Sequence, residues 1–102
     1  MDQETIIKML EGEWDLENGF LGKLRQGEFD ASGFERLIGI LKSVDLPNGT
    51  SLEKRFVALT WYIPIFLTWE KERFIEEGKE VVELDHAINR IVGFLENILG
   101  IP

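Results

Sequence analysis

The run from Phe56 to Trp69 is fourteen residues without a charge, interrupted only by Pro64. Leu52, Phe56, Leu59, Ile63, Phe66 or Leu67, and Phe74 recur through this stretch at spacings of three and four, apart from Glu70, which is the period of an α-helix. Val57, Trp61, Ile65 and Trp69 fill the other faces. A helix that is apolar nearly all round is normally enclosed by its neighbours, so this one is expected at the centre of the domain. Thr50 and Glu53 have the spacing of a capping box that opens it, and the turn Pro47-Asn48-Gly49 precedes it. Pro64 has no amide hydrogen and its ring crowds the carbonyl of Thr60, so a bend is expected there. The competing reading is two short strands, Phe56–Ile63 and Ile65–Trp69, because aromatic and β-branched residues are frequent.

The remaining pattern is helical too. Asp2 is placed to cap a helix from Gln3 to about Trp14, with Ile6, Leu10 and Trp14 spaced by four. Asp15 to Gly19 reads as a connector, and Asn18 is placed to cap a short helix, Phe20 to Gln26, that stops at Gly27. Gly19 and Gly22 leave that helix marginal on its own. Ser32 and Glu35 form a second capping box for a helix running to about Val44, with Phe34, Leu37, Ile38, Leu41 and Val44 on one stripe. The central helix ends near Gly78, as a left-handed C-terminal cap. The last one, Lys79 to Leu99, carries Val81, Leu84, Ile88, Ile91, Leu95 and Ile98 as a regular three-four seam. The connection at Gly78 is short, which makes the last two helices antiparallel. The expected fold is all-α: one domain, 1–102, of about five helices around a central Pro-kinked helix.

Composition narrows the function. With 44% hydrophobic and 29% charged residues the chain is globular, not disordered. No cysteine is present, which removes thiol catalysis and thiolate metal sites. The chain begins Met1-Asp2-Gln3-Glu4 rather than with a basic and then apolar signal, so a cytoplasmic location is expected. Fourteen uncharged residues fall short of the roughly twenty that a membrane-spanning helix needs. A net charge of −8 argues against nucleic acid as a partner and for a basic protein.

The chemical motifs are fragments. Glu83 and His86 form a Glu-x-x-His, half of a di-iron carboxylate site, but His86 is the only histidine. Glu76-Glu77-Gly78-Lys79-Glu80 is similar to the first magnesium motif of the all-helical MazG-like nucleotide pyrophosphohydrolases. That family needs its acids on one unbroken helix and a later Glu-x-x-Asp, whereas Gly78 is expected to end the helix and no such motif follows. No phosphate-binding loop or catalytic triad can be assembled, so no catalytic residue, metal or cofactor is assigned and the chain is not expected to be an enzyme.

Charge distribution carries more. Glu11, Glu13, Asp15 and Glu17 put four acids within seven residues around Trp14, and Glu76, Glu77, Glu80, Glu83 and Asp85 form a second acidic stretch opposed only by Lys79. Acids that raise the encounter rate beside an aromatic anchor suit a basic partner. Across Trp14-Asp15-Leu16-Glu17-Asn18-Gly19-Phe20-Leu21-Gly22-Lys23-Leu24-Arg25 the chain resembles the small acidic helical immunity proteins with which bacteria neutralise polymorphic and contact-dependent toxins. The resemblance implies a non-enzymatic cytoplasmic inhibitor of a toxin domain, often a basic nuclease. Glu11, Glu13, Trp14, Asp15, Glu17, Glu76, Glu77, Glu80 and Glu83 are the expected contact residues. The alternatives are a helical adaptor self-associating through the last helix and a MazG-like hydrolase using Glu76, Glu77, Glu80 and Glu83.

Overall fold

The computed structural model describes residues 2–47 and 49–102. Among these residues five helices follow one another: α1 (Gln3–Glu13), α2 (Phe20–Arg25), α3 (Ala31–Lys42), α4 (Lys54–Glu76) and α5 (Val82–Leu99). No strand occurs among the described residues, so the two-strand reading of Phe56–Trp69 is excluded and α4 continues through Pro64. The chain is a small all-helical bundle.

The α4 stripe Phe56, Leu59, Ile63, Phe66, Leu67 and Phe74 is buried as its spacing requires, with Glu70 the one acid among them. It meets Ile6 and Leu10 from α1, Leu37, Ile38 and Leu41 from α3, and Leu84, Ile91 and Leu95 from α5 in one core. Lys71 lies 2.6 Å from Asp85 near one end of the α4–α5 pair, while Trp61 shares a cleft with Leu99 at the other. The two helices are therefore antiparallel. The three-four seam of α5 is spent inside the chain: Leu84, Ile91 and Leu95 are buried, and Val81, Ile88 and Ile98 pack against the core.

Helix ends correct several sequence expectations. Asp2 caps α1, accepting the Thr5 amide at 2.8 Å. Gly19, not Asn18, is the N-cap of α2; Asp30, not Ser32, that of α3; Glu53, not Thr50, that of α4. Ser32 instead donates its hydroxyl to Asp30, and the start of α4 is tied to α1 by Gln3, which accepts the Glu53 amide and donates to the Ser51 carbonyl, both at 2.9 Å. The turn before it includes Asn48, outside the described residues; the Thr50 amide closes it on the Pro47 carbonyl. Gly78 ends α4 as expected. At φ +73° it donates to Ile75, and the next amide, Lys79, donates to Phe74, satisfying two carbonyls that the helix leaves open.

Glycines 19 and 22 have a reason beyond flexibility. A Cβ on Gly22 would sit 1.9 Å from the Asp15 carbonyl oxygen, and one on Gly19 2.3 Å from that of Glu13. The α1–α2 connector folds back directly against the α2 backbone. Gly22→Ala is therefore expected to cost about 2 kcal/mol or more, because backbone must move. Gly39 lies exposed on α3 with open space around it, and Gly39→Ala should stabilise by about 0.5–1 kcal/mol. Denaturation midpoints of the two variants, moving in opposite directions, check this.

Asp30 receives the Lys23 ammonium at 3.0 Å and the Ser32 hydroxyl at 2.9 Å, and these two contacts lower its pKa from 3.8 to about 2. A depressed carboxylate stabilises the fold above its unfolded pKa and loses that contribution as pH falls through the folded one. Asp30→Asn should thus flatten the stability-versus-pH curve between 3.8 and about 2, measured by urea titrations across that range.

Candidate protein-binding surface

Of the residues on the helix-wheel side of α4 opposite its buried stripe, Lys54, Ala58, Trp61, Ile65, Thr68, Trp69, Glu72 and Glu76 line one outward face. Its middle is apolar. Trp61 is 50% exposed and Trp69 56%, so the expectation of a helix enclosed on all sides fails on this face. The two tryptophans are eight residues apart, about 12 Å along the axis, and Tyr62 joins them. Its ring centre lies 5.8 Å from that of Trp61 at 75° and 5.9 Å from that of Trp69 at 86°, both edge-to-face. Tyr62 also stands 6.2 Å from Trp14, which meets Phe66 at 5.0 Å. A chain of rings thus runs from solvent into the core, in the offset and edge-on geometries that aromatic quadrupoles favour.

Trp14, the expected aromatic anchor among the acids, belongs to this cluster and is half-buried. Arg25 lies over it, its guanidinium carbon 5.5 Å from the Trp14 ring centre and 5.3 Å from that of Phe66.

The acidic stretches divide by role. Glu13 is 4% exposed and faces inward, so it cannot contact a partner as expected. Its Oε1 accepts the Phe20 amide at 3.0 Å and Arg36 Nη2 at 3.0 Å, and its Oε2 accepts Arg36 Nε at 2.7 Å. The negative charge meets the N-terminus of α2, where the helix dipole favours it. Glu11 is engaged by Arg55 at 2.9 Å, and Asp15 accepts the Glu17 and Asn18 amides at 3.2 and 2.9 Å. Glu77 pairs with Lys79, and Glu80 accepts the Val81 and Val82 amides where α5 begins. Glu17, Glu76 and Glu83 are exposed with no ion pair among the described residues.

Basic groups stand between the two stretches. Arg73 donates to the carbonyls of Leu24 at 2.9 Å and Arg25 at 2.8 Å, holding the C-terminal end of α2. Its Nη2 is 2.6 Å from Glu70 Oε2, yet that oxygen and Arg73 Nε lack an aligned hydrogen bond, so the contact is one of charge alone. Burial raises the Glu70 pKa, while Arg73 and Arg25 pull it down.

The motif with Glu76, Glu77 and Glu80 is split: α4 ends at Glu76 and Gly78 turns the chain before Glu80. Among the described residues no three acidic or histidine side chains are grouped to hold a metal, and Glu83 and His86 stand exposed on α5. No described helix is long and apolar enough to cross a membrane. The surface that composition did not flag is Trp61, Tyr62, Trp69 and Arg25. A signal for it exists in the sequence: Lys54, Glu72 and Glu76 lie on the same face as the two tryptophans and mark it as the solvent side. Compared with protein-family models, curated proteins and solved structures, the chain matches none.

Glu13→Ala would leave the buried Phe20 amide without its acceptor, while Arg36, which is half exposed, keeps the Asn18 carbonyl. The loss of the buried acceptor costs about 2 kcal/mol. The expected result is a large fall in the urea midpoint, against a much smaller one for exposed Glu17→Ala.

Proposed function

We propose that this chain is a non-enzymatic protein-binding inhibitor of the immunity type, which docks a basic toxin domain on the outward face of α4. The observation that carries the reading is the edge-to-face network of Trp61, Tyr62 and Trp69 at the surface. Tryptophan and tyrosine dominate the energetics of protein interfaces, and rings already held by their neighbours lose little freedom on binding. Charge complementarity selects the partner. Glu72 and Glu76 continue the same face, and the whole chain carries −8, so a basic surface is drawn toward the aromatic patch.

The reading moves the contact away from Glu13, whose reversal would break the fold instead of the interface. It keeps Glu76 and adds Glu72. The adaptor alternative loses its motive, because the α5 seam is buried within the chain. The hydrolase alternative loses the single helix on which its acids would stand.

The test pairs the chain with the product of the adjacent reading frame in a bacterial host. Growth should be restored and a complex should be recovered. Trp61→Ala and Trp69→Ala should each weaken that complex by ~2 kcal/mol, about thirtyfold in Kd, with unchanged folding by circular dichroism. Reversing Glu72 and Glu76 to Lys should slow association and flatten its salt dependence while leaving dissociation nearly unchanged. A neighbour that is neither toxic nor bound, or tryptophan variants that bind like the parent, would overturn the proposal.

A further inference from the structure

Beside the aromatic face, and sharing Ala58 and Tyr62 with it, lies a cleft of about 280 Å³ lined by Glu11, Trp14, Arg25, Arg55, Ala58, Leu59 and Tyr62. Its walls are two aromatic rings, Trp14 and Tyr62, inclined at 38° to each other. Two guanidiniums and one carboxylate supply the polar lining, so this is a local cationic surplus in a strongly acidic chain.

The two arginines differ. Arg55 is committed to Glu11, with Nε at 3.0 Å and Nη2 at 2.9 Å from Glu11 Oε2, which neutralises the acid in the lining; Glu70, the other acid within electrostatic reach of Arg25, is met by Arg73 at 2.6 Å. Arg25 is held over Trp14 and Phe66 by cation–π contact, and no acceptor among the described residues takes a hydrogen bond from its guanidinium. Its planar fork is thereby oriented by the rings while its donors stay open. That is the arrangement that receives a carboxylate in two parallel hydrogen bonds.

We infer that this cleft binds a monocarboxylate carried on an aromatic stem, the ring lying against the exposed side of the Trp14 and Tyr62 pair and the carboxylate meeting Arg25. At about 280 Å³ the cleft lies just below the usual range of ligand clefts, roughly 300–1,000 Å³, so it admits only a small group. The net charge of −8 favours a single negative charge over a phosphate dianion. Two sources carry this chemistry: a free aromatic acid, and the C-terminal carboxylate of a peptide ending in phenylalanine.

The experiment follows the indole N–H signal of Trp14 and the backbone amides of the isotope-labelled chain by NMR. Phenylacetate, phenylacetamide, acetyl-Gly-Gly-Phe and its C-terminal amide are titrated separately. The acids should move Trp14, Arg25 and Tyr62 signals with saturation below roughly 10 mM, and the amides should bind about tenfold more weakly or worse. A tighter free acid identifies a small-molecule site; a tighter peptide acid identifies capture of a chain end. Arg25→Met, which keeps the stem over Trp14, should weaken the acids roughly tenfold and leave the amides unchanged. Arg25→Lys, which keeps charge without the fork, should recover only part of that loss. Equal binding of acid and amide, an Arg25→Met chain that binds the acids like the parent, or no response to either acid would overturn the inference. None of these outcomes depends on the toxin complex, so the two proposals fail separately.

Discussion

A six-residue helix is too short to persist by its own hydrogen bonds, because the cost of its first turn is never recovered. In this chain α2 is held by charge at both ends. Glu13 accepts the Phe20 amide at its start, and Arg73 donates to the Leu24 and Arg25 carbonyls at its finish. Each charge has the sign that the helix dipole favours there. Glu13 closes α1 and Arg73 lies near the end of α4, so the clamp also fixes the distance between those helices. Arg36 joins α3 to the same point, bonding Glu13 twice and the Asn18 carbonyl once. Without Glu13 the hydrophobic residues of α2, Phe20, Leu21 and Leu24, would still be drawn inward, and Arg73 and Lys23 would still hold the helix, but its first turn would lose the polar contact that sets its orientation.

This placement has a consequence at the surface. Arg25 is the last residue of α2, and the clamp that holds its carbonyl leaves its guanidinium over Trp14 and Phe66. Trp14 follows directly on Glu13 and is positioned by the same network. The cleft and the aromatic face are thus extensions of the scaffold's polar joints, built on helix ends that have little freedom to move.

Helices were legible in the sequence and their caps were less so. The three-four spacing of Phe56, Leu59, Ile63 and Phe74 located the buried side of α4, and Gly78 located its end, because periodicity and positive φ are local properties. Capping boxes at Thr50–Glu53 and Ser32–Glu35 were misplaced because a cap is chosen in competition with tertiary partners. Gln3 takes the Glu53 amide, and Lys23 anchors Asp30. Glu13 could not be separated from Glu11, Asp15 and Glu17 by composition. Its burial depends on Arg36, twenty-three residues away, which no local pattern encodes. The tryptophans were read as core for a related reason: an uncharged run suggests burial, yet a helix at the edge of a bundle has only one side to bury.

Two exposed tryptophans braced by a half-buried tyrosine are a liability, since they are as complementary to a second copy as to a partner. The charge balance bears on this conflict. Two copies approaching through α4 in parallel bring Glu72 and Glu76 of each toward the same acids of the other, whereas antiparallel copies bring those acids toward Lys54; either way each copy carries −8. Like net charges oppose the encounter, and the opposition is greatest at low salt. A basic surface would meet the reverse field and be drawn by the same acids. On the proposed function, acidity and aromatic exposure act together: the charge would select which surfaces reach the rings, and the rings would supply most of the binding energy.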